Sequence, residues 1–346
     1  MSRVLVTGGA GYIGSHAVQA LGAAGHTVVV LDDLSQGHAE AVPGVPLVRA
    51  RTHDVDAVRR TLAEHRIDAV MHFAAWLAVG ESVTDPSGYY HNNVTGSLSL
   101  LDAMAAEGVR HLVFSSTCAV YGEPERTPID EDHPKAPINA YGETKLSVER
   151  ALPHYARAYG LRFVALRYFN AAGCDPGGTL GEDHDPEIHI IPRAVDAALG
   201  RGALRVFGDD YPTPDGTCLR DYVHVADLAD AHLRALASLE QGGESGAYNV
   251  GTGTPYSVRQ VIDTVEAIVG QKVPWTLGPR REGDPAALFA DGARIRARLG
   301  WAPQHSSLTD IVTHTWRWRA AHPRGYDGAG AAHGSRPRTG STAPAR

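Results

Sequence analysis

The sequence predicts an α/β protein, a Rossmann-like doubly wound parallel sheet over residues 1–170 with a smaller C-terminal α/β cap over 171–326. Three observations carry that expectation. Short apolar runs alternate with stretches of helical spacing through the first half of the chain. A glycine cluster stands between the first run and the first helical stretch. After residue 170 the text turns to a passage rich in Gly, Pro and Asp, followed by shorter helices and strands. Strand and helix in alternation imply a parallel sheet covered on both faces, and ligands then bind beyond the carboxyl ends of its strands.

The runs RVLVTG (3–8), TVVVLD (27–32), AVMHFAA (69–75), HLVFSS (111–116) and RFVALRYF (162–169) are bounded and apolar enough for buried strands. Residues 15–25, 54–66, 93–108 and 141–159 have the 3.6-residue spacing of helices that cover a sheet. Gly8, Asp32, Ala74 and Thr117 then fall at or just past strand ends, where a ligand would lie. The cap is expected to be partly interleaved with the first unit. Residues 327–346, dense in Gly, Ala, Ser, Pro and Arg, have the composition of a disordered tail.

VTGGAGYIGSH places glycines at 8, 9, 11 and 14. In a strand-to-helix turn, glycine lets the backbone approach a pyrophosphate closely and lets the helix pack tightly on the strand. The helix N-terminus then offers free N–H groups to the phosphates. Asp32, at the end of the second apolar run, is placed to accept hydrogen bonds from an adenosine ribose. With its neighbour Asp33 it would repel a 2′-phosphate, so NAD is expected in preference to NADP.

AYGETK (140–145) sets Tyr141 four positions before Lys145, one of only three lysines in the chain. On a helix that spacing puts both side chains on one face, about 5–6 Å apart at Cβ. A neighbouring ammonium favours the phenolate and makes a tyrosine usable as a base.

Composition narrows the remaining classes. A hydrophobic content of 43% over 346 residues supports one large or two modest cores. The net charge of −7 offers no basic footprint for nucleic acid. No apolar run reaches membrane-spanning length, and the start lacks the features of a signal peptide. Cys118, Cys174 and Cys218 are few, odd in number and without metal-ligand spacing, which points to buried side chains in a reducing, cytoplasmic setting. No residue is assigned to a metal.

With the glycine turn, Asp32, FSSTCAVYG and AYGETK in place, the chain resembles the extended short-chain dehydrogenase/reductase family. LRYFNAAG (166–173), VFGDDYPTPDGTCLRDYVHVADLADAH (206–232), YNVGTG (248–253) and RREGDPA (280–286) are similar to its UDP-hexose 4-epimerase branch, over residues 3 to about 326. The resemblance implies an NAD-dependent isomerase that epimerises C4 of UDP-galactose and UDP-glucose through a transient 4-keto sugar. It implies a catalytic set of Thr117, Tyr141 and Lys145. Around the cofactor it places Gly8, Gly11, Tyr12, Ile13, Gly14, Asp32, Asp33, Leu34, Phe73, Ala74, Ala75, Leu77, Asn92 and Phe169. Around the UDP-sugar it places Asn170, Ile190, Phe207, Arg220, Tyr222, Arg281, Asp284 and Leu288, with the two arginines on the diphosphate. It also implies a homodimer.

Three positions depart from the branch's common pattern. Leu77 stands where many members have a lysine near the cofactor, and Arg51 where an acid often recognises adenine. Leu288 replaces a tyrosine that narrows the sugar pocket, which leaves room for an N-acetyl group. Epimerisation of another UDP-sugar, an N-acetylhexosamine, a pentose or a uronic acid, stays open, as does a non-catalytic NAD-sensing regulator on the same scaffold. A 4,6-dehydratase is disfavoured, because such enzymes carry Asp-Glu directly after the catalytic Thr and here Cys118 and Ala119 follow.

Overall fold

A computed structural model describes residues 1–281 and 284–328. The tail expected over 327–346 falls, from 329 onward, outside the described residues. Among the described residues thirteen strands run in chain order: β1 (Arg3–Thr7), β2 (Thr27–Asp32), β3 (Leu47–Arg49), β4 (Ala69–His72), β5 (His111–Thr117), β6 (Arg162–Tyr168), β7 (Asn170–Ala172), β8 (Leu204–Phe207), β9 (Leu219–His224), β10 (Gly246–Val250), β11 (Pro255–Ser257), β12 (Trp275–Gly278) and β13 (Ala287–Leu288).

Seven strands form one sheet in the order β10-β6-β5-β4-β1-β2-β3. Every neighbouring pair is parallel. Side chains alternate across a strand, so each strand feeds two cores. Val4 and Val6 of β1, with Val28 and Val30 of β2, join the core under the helices Tyr12–Ala23 and Val225–Glu240. Leu5, Val29 and Leu31 face the other way, against Val55–Glu64, Gly96–Glu107 and Ala140–Tyr159. All five apolar runs are strands of this sheet.

Two elements lie outside the runs that signalled the sheet. The edge strand β3 has only three residues, too few for a periodic signal. β10 comes from the C-terminal half of the chain and pairs along β6 from Gly246↔Val164 to Val250↔Tyr168. The helix expected from residue 93 begins its regular α form at Gly96, after a wider π turn over Tyr90–Thr95. That turn carries Asn92 and Asn93, and such insertions recur at functional sites.

The remainder builds the cap. β11, β9 and β13 form a small sheet with β7 paired to β9, and β12 pairs β8. The helices Ile190–Ala198, Val258–Val269 and Leu308–Ala321 pack over them around Val195, Val261 and Ile311. The three cysteines are free and buried, as expected. Among the described residues no helix is long and apolar enough to cross a membrane.

Asp221 ties the two sheets together. It is fully buried. Its carboxylate accepts from Thr252 N (3.0 Å), Thr252 Oγ1 (2.6 Å), Gly253 N (3.0 Å) and Ala290 N (3.1 Å). The segment after β10 and the segment after β13 are thereby fixed to β9. Asp221→Ala removes the acceptor of three backbone N–H groups, that of Ala290 buried, and is expected to lower stability by about 3 kcal/mol. Asp221→Asn, which keeps one acceptor oxygen, costs less. Urea unfolding followed by circular dichroism measures both.

Candidate active site

A cleft of about 400 Å³ opens at the carboxyl ends of β1, β2, β4, β5 and β6 and reaches under the cap. Its first wall is the glycine turn. Gly8 sits at φ +70°, and a Cβ there would lie 2.5 Å from Ala74 N. A Cβ on Gly14 would lie 2.1 Å from Gly8 O, so helix-to-turn packing alone requires glycine at both. Gly11 is different, since an added Cβ would meet only Gly8 O, at 3.4 Å. Packing among the described residues does not demand glycine there, and its bare backbone leaves the space in front of the helix open. The helix Tyr12–Ala23 has Gly11 as its N-cap, no side-chain cap and no acid in its first turn. Its leading N–H groups are therefore free for an anion, which fits a dinucleotide's pyrophosphate.

Asp32 is buried at the end of β2. Its two oxygens accept from Ala10 N (3.0 Å) and Leu34 N (2.9 Å). Burial raises its pKa and those two amides pull it back. Asp32 thus holds the glycine turn against β2 while it lines the cleft. Arg51 lines the cleft as well and pairs with Asp33 at 3.1 Å. The departure at position 51 therefore answers Asp33, and the repulsion expected against a 2′-phosphate rests on Asp32 alone.

The second wall carries the hydroxyls. β5 turns from apolar to polar as it reaches the cleft, ending Ser115-Ser116-Thr117. Asn139 caps the helix Ala140–Tyr159 by accepting from Gly142 N at 2.8 Å, which puts Tyr141 in the first turn. A Cβ on Gly142 would stand 2.5 Å from Ala119 O. Glycine at 142 thus lets the helix start press on the turn after Thr117, and Tyr141 and Thr117 both line the cleft. Asn93 braces the same turn, donating to Thr144 Oγ1 (3.1 Å) and accepting from Trp76 N (2.8 Å).

Lys145 is 4% exposed. Its Nζ donates to Ser115 O at 2.8 Å and lies 5.1 Å from the Phe114 ring centre. Burial pulls its pKa down to about 7, against the attraction of Glu149. Burial likewise raises Tyr141 well above the ordinary tyrosine value, and the influence that lowers it is the Thr117 hydroxyl. In place of the expected ammonium-to-phenol effect, the lysine is turned to the β5 carbonyl. Behind both residues, Glu149 is bound by Arg167 Nη2 (2.5 Å) and Ser116 Oγ (2.5 Å). Arg167 continues to Tyr121 (2.9 Å), and Tyr121 to Asn249 on β10 (2.6 Å).

The cleft gathers the expected cofactor residues Gly8, Gly11, Tyr12, Ile13, Gly14, Asp32, Asp33, Phe73, Ala74, Ala75, Leu77, Asn92 and Phe169, together with Tyr141 and Lys145. Leu34 is the exception. It has φ +58° and packs on the apolar core, so its amide on Asp32 is what it contributes. Of the expected substrate residues, Thr117, Asn170, Asp284 and Leu288 line the cleft. Tyr222 is buried in the cap core, and Ile190 packs against that core. Phe207 lies under the Arg281 guanidinium, 4.0 Å from its centre. Arg220 is ion-paired with Asp284. Those five residues stand outside the cleft lining. Trp76, Tyr168, His184 and His189 line it without having been singled out. The first two sit in or beside recognised runs, but the histidines lie in a loop whose path only the fold reveals.

The NAD dependent epimerase/dehydratase family profile matches residues 4–251. The chain belongs to that family. It is 50% identical to the UDP-glucose 4-epimerase of Azospirillum brasilense, with 97% of each chain covered. To the UDP-glucose 4-epimerase of Halalkalibacterium halodurans it is 49% identical, over 93% of this chain and 97% of the relative. The crystal structure of UDP-glucose 4-epimerase from Brucella ovis in complex with NAD superposes with a TM-score of 0.90 at 49% identity, covering 91% of this chain and 98% of that one. This epimerase/dehydratase chain uses NAD, and the uncapped glycine turn and Asp32 are where it would be held.

The buried lysine sets a pH dependence. A folded pKa near 7, below the ordinary 10.5, means the unfolded chain holds more protons between those values. Stability therefore rises with pH across that window. Cofactor-free protein is expected to gain stability relative to its Lys145→Met variant by up to about 1.4 kcal/mol per pH unit between roughly pH 7.5 and 9.5. Parallel slopes in urea unfolding at several pH values would contradict this.

Proposed function

We propose that this chain interconverts UDP-galactose and UDP-glucose by NAD-dependent epimerisation at C4, with Thr117, Tyr141 and Lys145 as its catalytic residues. The observation that carries this reading is that Thr117, Tyr141 and Lys145 line one cleft with the free N-terminus of the helix Tyr12–Ala23. Bound NAD⁺ supplies the acceptor for the C4 hydride and later returns it.

Tyr141 takes the proton of the C4 hydroxyl, and Thr117 hydrogen-bonds the same oxygen. Lys145, once drawn from the Ser115 carbonyl towards the cofactor ribose, places its charge beside the phenol and favours the phenolate. Because Cys118 and Ala119 follow Thr117, no adjacent acid and base are present to remove water, and the 4-keto sugar survives to turn over. A sugar that turns needs a fixed handle, which Arg220 and Arg281 provide on the diphosphate. Arg220 is already matched to Asp284, so seating the diphosphate exchanges one anionic partner for another.

The working unit on this reading is a cytoplasmic homodimer. Leu101, Met104, Tyr155 and Tyr159 line a groove between the helices Gly96–Glu107 and Ala140–Tyr159, and Tyr159 is 56% exposed. Sedimentation should give a dimer.

Purified protein mixed with UDP-galactose is expected to yield UDP-glucose, followed by NMR of the anomeric proton, with no accumulating NADH. Loss of water, or no conversion, would overturn the reading. Tyr141→Phe should reduce turnover at least about 100-fold while leaving NAD binding nearly unchanged. Lys145→Arg should lose most activity, because a planar guanidinium is bulkier than the ammonium it replaces.

A further inference from the structure

We propose that Glu182, His184, Glu187 and His189 form a binding site for one divalent transition-metal ion of the Zn²⁺ class. All four stand within the eight residues EDHDPEIH, in the loop that leads into the helix Ile190–Ala198. Each offers one donor atom, and the four atoms lie within 4.8 Å of one another. The sequence expectation assigned no metal, and the loop's curl is what brings these four donors together.

Unsatisfied donors point to a ligand. Seven buried side-chain N or O atoms among the described residues lack a hydrogen-bond partner, and three of them are Glu182 Oε2, His184 Nδ1 and Glu187 Oε2. Glu182 is 1% exposed and Glu187 10%. A buried polar atom without a partner is costly, and a buried carboxylate more so. The loop backbone orients Glu187, since its Oε1 accepts from Ile188 N (2.9 Å) and His189 N (3.0 Å), leaving Oε2 unpartnered. Glu182 Oε1 is in contact with His189 Nδ1.

Charge is compatible with the same occupant. Two buried carboxylates call for two positive charges, and the nearest groups able to carry them are His184, with Nδ1 3.3 Å from Glu182 Oε1 and 3.6 Å from Glu187 Oε1, and His189, in contact with Glu182 Oε1. Arg319 stands 3.8 Å from Glu187 Oε2, but its fork is bound by Asp196. One dication with two neutral imidazoles gives the same balance, with the two imidazole protons released on binding. Two imidazole nitrogens with two carboxylate oxygens suit Zn²⁺ or Co²⁺, whereas Mg²⁺ and Ca²⁺ prefer oxygen throughout. Tetrahedral Zn²⁺ needs donors about 3.3 Å apart, so binding requires the four side chains to close inward. Arg319 Nη1 also donates to Glu182 O at 3.1 Å, an outer contact that steadies the loop. His184 and His189 line the main cleft, which gives the ion its way in. The ring of Tyr12, the first residue of the dinucleotide helix, meets His184 edge-on at 6.0 Å. The ion would thus pin the cap loop beside the cofactor turn.

The test uses tag-free, full-length protein, stripped with a chelator and dialysed against Zn²⁺, with Co²⁺ as a spectroscopic probe. The expected result is one ion per chain at micromolar Zn²⁺ and the visible absorption of tetrahedral Co²⁺. Glu182→Gln and His184→Gln should each weaken binding at least about 100-fold. Should the buried Glu182 variant fail to fold, His189→Asn, at the half-exposed position, carries the same expectation. No stoichiometric binding by the unaltered protein, or equal binding by the folded variants, overturns the proposal.

Discussion

The buried pair of Glu149 and Arg167 holds the reactive end of this molecule together. Glu149 lies one turn beyond Lys145 and two beyond Tyr141 on the same helix, while Arg167 sits on β6 of the central sheet. With side chains only 7% and 5% exposed, neither charge has water to turn to. Each is instead saturated by protein. Ser116 and Arg167 serve the carboxylate, and Tyr121 shares the guanidinium. Removing one partner of such a pair strands the other, at a cost of several kcal/mol. The pair therefore fixes the rotation and height of the helix on the sheet, and with them the positions of two side chains that face the cleft.

That anchoring also accounts for how a lysine can be kept in so apolar a place. Lys145 rests on Phe114 and has one carbonyl partner, a setting that favours the neutral amine. Glu149 works against that tendency from the next turn. The residue is thereby held near the balance point between its two protonation states, where a small change in surroundings alters its charge. An arginine, which stays charged, could not be poised in this way.

Much of this was legible in the sequence because the signals were local. Five apolar runs gave five strands of the sheet, and the glycine turn, Asp32, Thr117 and Tyr141 were found in one cleft. Local signals failed where the answer depended on distant segments. β10 is an ordinary five-residue run, and only its pairing with β6 makes it part of the first sheet. Tyr222 and Ile190 carry residue types suited to a pocket, but alternation along β9 and packing of the cap turn them to the core. Arg220 had no visible partner until the fold brought Asp284 to it across 64 positions. The EDHDPEIH loop was opaque for the same reason, since its donors converge only through the backbone path between them.

The place of β10 bears on how the chain is made. A ribosome that has delivered residues 1–170 has produced six strands of the sheet, with β6 as an exposed edge lined by unpaired backbone groups. The strand that covers it is synthesised some 80 residues later, after β7, β8, β9 and the helix Val225–Glu240. Until then Asn249 is not available to Tyr121, and the network behind Tyr141 and Lys145 is incomplete. The nascent protein thus carries a long-range closure into the last third of its synthesis, the kind of non-local pairing that slows folding and exposes intermediates to aggregation. Catalytic competence is on this account a late event in the life of the chain.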